Sequence, residues 1–516
     1  MFSNQPKGLF ALALANTGER FGYYTMLAIF ALFMQAKFGW DEAAAGQVYA
    51  IFLAVVYFSP LLGGIIADKI GYGKCVVIGL VTMFLGYLGL SIPTAPDIYG
   101  KITMFAGLAL VSLGTGLFKG NLQVLVGNLY DDPKYQDRRD AAFSLFYMAI
   151  NIGAMFAPAM AKWITNQHLS KYGFVYDAAN QAPEYLEALY SAYGLCFGVA
   201  CVSLVLSAII YFACRNWFKH ADVIAKQVKA TDSNYVELTP QQTRDRILAL
   251  ILVFGVVIFF WMAFHQNGSA LTFFAKKYTN LTVGGPMRLG FNIFSLAMIA
   301  ASVYTGFATI QAKIARNRII CGVLTLVLWA GAILLCMRMK NPTFAQPSDF
   351  QQFNPFFVVA LTPFSMAFFA ALEKRGKVVS APSRIAWGMF VAALGFGVIT
   401  LASNSLISPM DLGTKTQSIL SPAWLISTYF TLTIAELLLS PMGISFVSKV
   451  APPKYKGLMM GGWFAATAIG NYLSSIPSML WNKIPLMANW AILIALCLIS
   501  AVVMFALLKK LNKMTE

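Results

Sequence analysis

Residues 9–35 read LFALALANTGERFGYYTMLAIFALFMQ, an apolar run of lipid-spanning length with two formal charges, Glu19 and Arg20, near its centre. As a helix it exceeds the roughly 30 Å hydrocarbon core of a bilayer. With only Lys7 as a basic flank, the run fits a secretory signal poorly and a first transmembrane helix well, so nothing is expected to be cleaved. Asn16, Glu19 or Arg20, Tyr23 and Leu27 recur at steps of three and four and line one face. The adjacent Glu19 and Arg20 are expected to diverge by about 100° around the helix. Such a polar stripe is expected to face the interior of a bundle.

The rest of the chain is built for the same solvent. Of 516 residues, 58% are hydrophobic and 11% charged, with a mean hydropathy of +0.66, a balance that a water-soluble surface does not accommodate. Charge clusters and Gly/Pro punctuation bound about fourteen apolar spans between residues 9 and 508, six before and eight after the one long polar stretch, 215–246. Seven cysteines, Cys75, Cys196, Cys201, Cys214, Cys321, Cys336 and Cys497, lie in or beside these spans without CxxC spacing, which suggests neither a metal site nor a disulfide frame.

Basic residues fall on alternate turns: Lys69 and Lys74, Lys134 to Arg139, Arg215 to Arg246, Lys313 to Arg318, Lys374 to Arg384, Lys449 to Lys456, and Lys509 to Lys513. That face is expected to be cytoplasmic, with both termini inside. The net charge of +17 is then mostly topological, and no nucleic-acid partner is expected. The organisation expected is an all-α integral membrane protein of the major facilitator plan. A six-helix bundle over 1–214, a cytoplasmic linker over 215–246 and a second six-helix bundle over 247–516 would rock about a midplane site. Two helices are surplus, at about 290–337.

An ionisable group at mid-membrane costs about 2.5 to 3.5 kcal/mol on insertion scales, so those retained are functional candidates. They are Glu19, Arg20, Lys119, His265 and Glu436. The plainer alternative for Glu19 and Arg20 is that they hold helices together through ion pairs.

Several runs resemble one transporter family. TGERFGYYTM (17–26) resembles the first-helix signature ExxERFxYY of the proton-dependent oligopeptide transporters (POT/PTR) of the major facilitator superfamily. GTGLFKGN (114–121), FSLFYMAINIGAMFAP (143–158), FFWMAFHQNGS (259–269), FQQFNPFF (350–357), AELLLSPMG (435–443) and YKGLMMGGWFAATAIGN (455–471) are similar to later signatures of that family. GIIADKIGYGK (64–74) matches a loop motif general to the superfamily.

The resemblance implies uptake of di- and tripeptides with protons and no cofactor besides that ion. Peptide amine would meet Glu436 in the C-terminal half, and peptide carboxylate would meet Arg20 and Lys119 in the N-terminal half. Tyr23, Tyr24, Tyr57, Asn151, Asn354 and Trp463 match family positions that line the cavity; each could equally be a packing residue.

Three departures bear on coupling. Asn16 stands where the first glutamate of the signature is expected, Leu27 replaces a basic residue, and His265 occupies a position that peptide carriers usually fill with a carboxylate. Lys119 therefore lacks its customary partner. The proton-coupling candidates are Glu19, His265 and Glu436; His265 titrates near neutrality when unperturbed, and its plainer reading is a neutral hydrogen-bonding residue.

A histidine at this position also resembles plant nitrate carriers of the family, so an anion is the alternative substrate, though Glu436 would repel it. An uncoupled peptide facilitator is a further alternative. No HExxH, paired membrane aspartates or Ser/His arrangement supports an intramembrane enzyme. A drug exporter fits the loop motif but not the first-helix signature, and a channel would show flux without saturation. The 290–337 hairpin, with its basic turn AKIARNR (312–318), is expected to be peripheral scaffolding, facing lipid or a second copy. The short loops suggest a bacterial inner membrane.

Overall fold

Where the chain is apolar for about twenty residues, only a helix can satisfy every backbone N–H and C=O without water. A computed structural model describes residues 5–40, 42–176, 180–223, 238–268, 270–345, 347–409, 419–481 and 483–513. Six helices come first: α1 (Lys7–Phe38), α2 (Glu42–Ile70), α3 (Tyr72–Ser91), α4 (Ile98–Asn128), α5 (Arg139–Lys171) and α6 (Pro183–Ala213). Then α7 (Pro240–Phe264) passes through a 3-10 turn, His265–Gly268, into α8 (Ala270–Tyr278). The expected surplus hairpin follows as α9 (Ile293–Gln311) and α10 (Ala315–Arg338). The chain ends with α11 (Phe353–Lys374), α12 (Ala381–Ser403), α13 (Pro422–Val450), α14 (Lys456–Leu473), the short α15 (Ser475–Met479) and α16 (Leu486–Asn512).

Among the described residues, twelve of these helices are long and apolar enough to cross a membrane. With the more polar α1 and α14 they account for the fourteen spans read from the sequence. The fold is that of an all-α, multi-pass membrane protein. One two-residue ladder, β1 (Thr282–Val283) with β2 (Thr343–Phe344), joins the base of the hairpin to itself. The middle of the polar linker, 224–237, lies outside the described residues; its start, Arg215 to Ala221, forms two 3-10 turns.

By contacts the chain forms two compact units. The first comprises Phe2–Ile258 with Ile444–Tyr472. Its helices cross with backbones touching. A Cβ at Gly63 on α2 would sit 2.0 Å from the Gly116 carbonyl oxygen on α4, and Cβ atoms at Gly79 and Gly86 on α3 would sit 2.7 and 2.8 Å from the carbonyls of Gly114 and Gly107. Small residues allow this approach, which is where dispersion and weak polar contacts replace the hydrophobic drive that lipid removes.

The second unit comprises Phe259–Gly443 with Leu473–Lys513. Its hairpin is the least buried part: of the residues of α10, only Ala332 and Cys336 are buried. Tyr304 Oη donates to the Val359 carbonyl at 2.7 Å, and Phe307 meets Phe364 edge-on at 4.9 Å, tying α9 to α11. Thr305 and Thr325 share a hydroxyl bond of 2.7 Å between α9 and α10. At the base, Arg288 Nη1 donates to the Met339 carbonyl at 2.8 Å.

Candidate functional site

The expected polar stripe of α1 is buried: Asn16, Glu19, Arg20 and Tyr23 are all 3% exposed or less, while Leu14 on the far side is 56% exposed. Glu19 and Arg20 leave the helix in different directions, yet their side chains meet. Arg20 Nε and Nη2 donate to the two carboxylate oxygens of Glu19, both at 2.5 Å, in a bidentate pair between neighbours. Their Cα–Cβ bonds do point apart, but both side chains have enough rotatable bonds to curl together, and burial without water rewards the pairing. The guanidinium also lies 4.4 Å from the Tyr23 ring centre. Arg20 Nη1 and Tyr23 Oη are buried without a hydrogen-bond partner among the described residues.

On α4, Lys119 is 9% exposed. Among the described residues it forms no ion pair. Its ammonium sits 3.9 Å from the centre of the Tyr57 ring and 4.7 Å from that of Phe464, so aromatic faces supply its local electrostatic stabilisation. Tyr24 packs edge-on against Tyr23 at 5.3 Å. Asn151 turns its amide to its own helix, Nδ2 donating to the Tyr147 carbonyl at 3.0 Å, and Trp463 is buried against Phe254 at 6.4 Å.

In the second unit, Asn354 on α11 and Glu436 on α13 come together: Asn354 Nδ2 donates to Glu436 Oε2 at 2.6 Å and to Thr433 Oγ1 at 3.1 Å. The carboxylate is 3% exposed. His265 begins the 3-10 turn after α7, where its ring stacks on Trp261 at 5.2 Å and meets Phe264 edge-on at 5.6 Å. Three neighbours were missed in the sequence: Thr433, Trp261 and Phe464. The first two were legible in spacing, one turn before Glu436 and His265 respectively.

A second cluster occupies the basic end of the first unit. Asp68, from the GIIADKIGYGK run, caps α14 by accepting from the Gly457 and Leu458 amides at 3.2 and 3.3 Å, and accepts from Tyr72 Oη at 2.6 Å. Asp131 pairs with Arg139 and, at 3.1 Å, with Lys456; Lys449 pairs with Asp140 at 3.1 Å. A Cβ at Gly64 would lie 2.1 Å from the Gly457 carbonyl oxygen, so α2 and α14 meet backbone to backbone here.

A profile described as the POT family matches residues 73–236 and 324–493. The chain is 27% identical over 494 residues to dipeptide and tripeptide permease B of Xenorhabdus bovienii, covering 92% of this chain and 86% of that one. It is 26% identical over 516 residues to the peptide transporter YePEPT of Yersinia enterocolitica, covering 92% and 88%. A crystal structure of a peptide transporter POT in complex with sulfate matches with a TM-score of 0.63 at 23% identity, covering 100% of this chain and 96% of that one, a likeness of fold.

Proposed function

The chain belongs to the POT family, and from that premise we propose that it imports di- and tripeptides with protons, by alternating access of halves 1–214 and 247–516 about the linker 215–246. The observation that carries the reading is the separation of charge. Buried cations, Arg20 and Lys119, lie in one unit, and a buried carboxylate, Glu436 held by Asn354, lies in the other. A short peptide is a zwitterion, and these groups are of the two kinds that its charged ends need. The family membership and the permease relatives support the same substrate class. The basic loops support a cytoplasmic placement of that end and of both termini, and the short loops support a bacterial inner membrane.

Glu19 supplies a route for coupling. Protonating it removes the negative half of the bidentate pair and frees Arg20 for a peptide carboxylate, while deprotonation returns Arg20 to Glu19. Glu436, whose charge would hold the peptide amine, and His265, stacked on Trp261, are the other coupling candidates. Opening toward the basic end would require the Asp68 cap and the Asp131 and Asp140 pairs to part.

Dialanine uptake into proteoliposomes, with pH gradient and membrane potential imposed separately, tests this reading. Accumulation driven by the proton gradient and lost in Glu436→Gln is expected. Equilibration without accumulation would leave an uncoupled facilitator, and competition by nitrate but not dialanine would replace the peptide with an anion.

A further inference from the structure

The start of the polar linker does more than connect. Phe218 is 1% exposed against the Tyr211 ring at 5.0 Å, and a Cβ at Gly8 would lie 2.8 Å from the Trp217 carbonyl oxygen. The segment is thus seated on the ends of α1 and α6. Two further contacts are directional. Asp222 Oδ1 accepts from the Gly73 amide at 2.8 Å, in the first turn of α3, and the Ala221 carbonyl accepts from Asn128 Nδ2 at 2.9 Å, at the last residue of α4.

Both contacts lead to α14. Gly73 adjoins Tyr72, whose hydroxyl donates to Asp68, and Asp68 accepts the first amides of α14. Asn128 accepts at Oδ1 from Lys456 Nζ at 3.3 Å, and Lys456 begins α14 and pairs with Asp131. Among the described residues neither Asp222 nor Ala221 bonds to α14 directly; Ala221 reaches Lys456 through Asn128, and Asp222 reaches Asp68 through Gly73 and its chain neighbour Tyr72.

We propose that the Phe218–Asp222 segment is a strap that sets the strength of the α14 cap, so that displacing the linker loosens the basic end of the first unit. Hydrogen bonds that share polarised partners strengthen one another, and the carboxylate of Asp222 also meets the positive end of the α3 dipole. The strap makes the linker a control element: whatever draws Asp222 away from Gly73 weakens a closure that any transport cycle must break. The claim is independent of which solute is carried.

Hydrogen exchange of the intact protein, read over the first turn of α14, tests it without any substrate. Asp222→Ala is expected to speed exchange of the Gly457 and Leu458 amides by about tenfold, the loss of one charge-assisted bond. Asp222→Asn keeps a neutral acceptor for Gly73 but loses the charge, and is expected to fall between Asp222→Ala and the parent. Cys75, fully buried one turn into α3, reports the strap's seat, and its alkylation rate is expected to rise with exchange. Faster exchange in α3 with Gly457 and Leu458 unchanged would overturn the proposal, leaving a strap that holds α3 alone. If Asp222→Ala fails to fold, shown by the buried Cys196 and Cys497 becoming reactive, Phe218→Ala unseats the strap from the Tyr211 ring without touching any group bonded to α14, and it carries the same two outcomes.

Discussion

The α1–α4 core and the α9–α10 hairpin are made of similar apolar sequence and are packed in opposite ways. In the core, glycines mark places where backbones touch, and the charged pair of Glu19 and Arg20 is sealed at 1% exposure. In the hairpin, the nearest atom to a Cβ at Gly322 is Thr309 Cγ2 at 3.6 Å, an ordinary contact, and apolar side chains such as Leu326, 71% exposed, point outward. Lipid inverts the usual burial rule: polarity goes inside because only protein can satisfy it, and apolarity needs no partner.

The largest effect expected comes from breaking the sealed pair. Arg20→Gln leaves the Glu19 carboxylate buried without its cation and should destabilise the protein by about 3–5 kcal/mol. The double variant Glu19→Gln with Arg20→Gln should recover most of that loss while uptake remains absent. Thermal unfolding in detergent measures both; a double variant as unstable as the single one would mean that the pair itself, rather than an orphaned charge, holds the core.

Lys119 sharpens the contrast, since it is a buried cation with ring faces where Arg20 has a carboxylate. Removing it relieves a desolvated charge without orphaning another, so Lys119→Met should unfold at the same or a higher temperature. Peptide uptake should still fall by at least about tenfold, the scale of one lost charged contact. A large drop in stability would show that Lys119 is structural.

Glycine substitutions test the core against the hairpin directly. Gly63→Ala forces the α2 and α4 backbones apart and should cost about 1–3 kcal/mol. Gly322→Ala meets only van der Waals contact and should be neutral or stabilising by about 0.5–1 kcal/mol. Equal costs at the two sites would remove the distinction drawn above.

The spans were legible because lipid leaves few options: about twenty apolar residues between basic clusters can only be a helix. The hairpin's position and the buried stripe of α1 were readable from spacing and from the family signatures, whereas the hydrogen bond from Asn354 to Glu436, 82 residues apart in sequence, was not. The Glu19–Arg20 pair was not, because backbone geometry separates neighbours and only side-chain flexibility reunites them. Nor was the linker's seat: Asp222 reaches Gly73 and Ala221 reaches Asn128 across 149 and 93 residues of sequence, through single carboxylate and carbonyl oxygens that leave no periodic trace.

The smallest effect lies in the hairpin itself. Thr305 and Thr325 share a bond between side chains of α9 and α10, yet each hydroxyl also bonds within its own helix, Thr305 to the Ser302 carbonyl at 3.1 Å and Thr325 to the Cys321 carbonyl at 2.9 Å. Separated helices would keep those local bonds, so the inter-helix contact replaces little. A Thr305→Val and Thr325→Val double-mutant cycle should therefore return a coupling of only about 0.6 kcal/mol, the average for such bonds in membrane helices. A coupling several times larger would mean that the hairpin, despite its exposed outer face, is held by polar contacts as the core is.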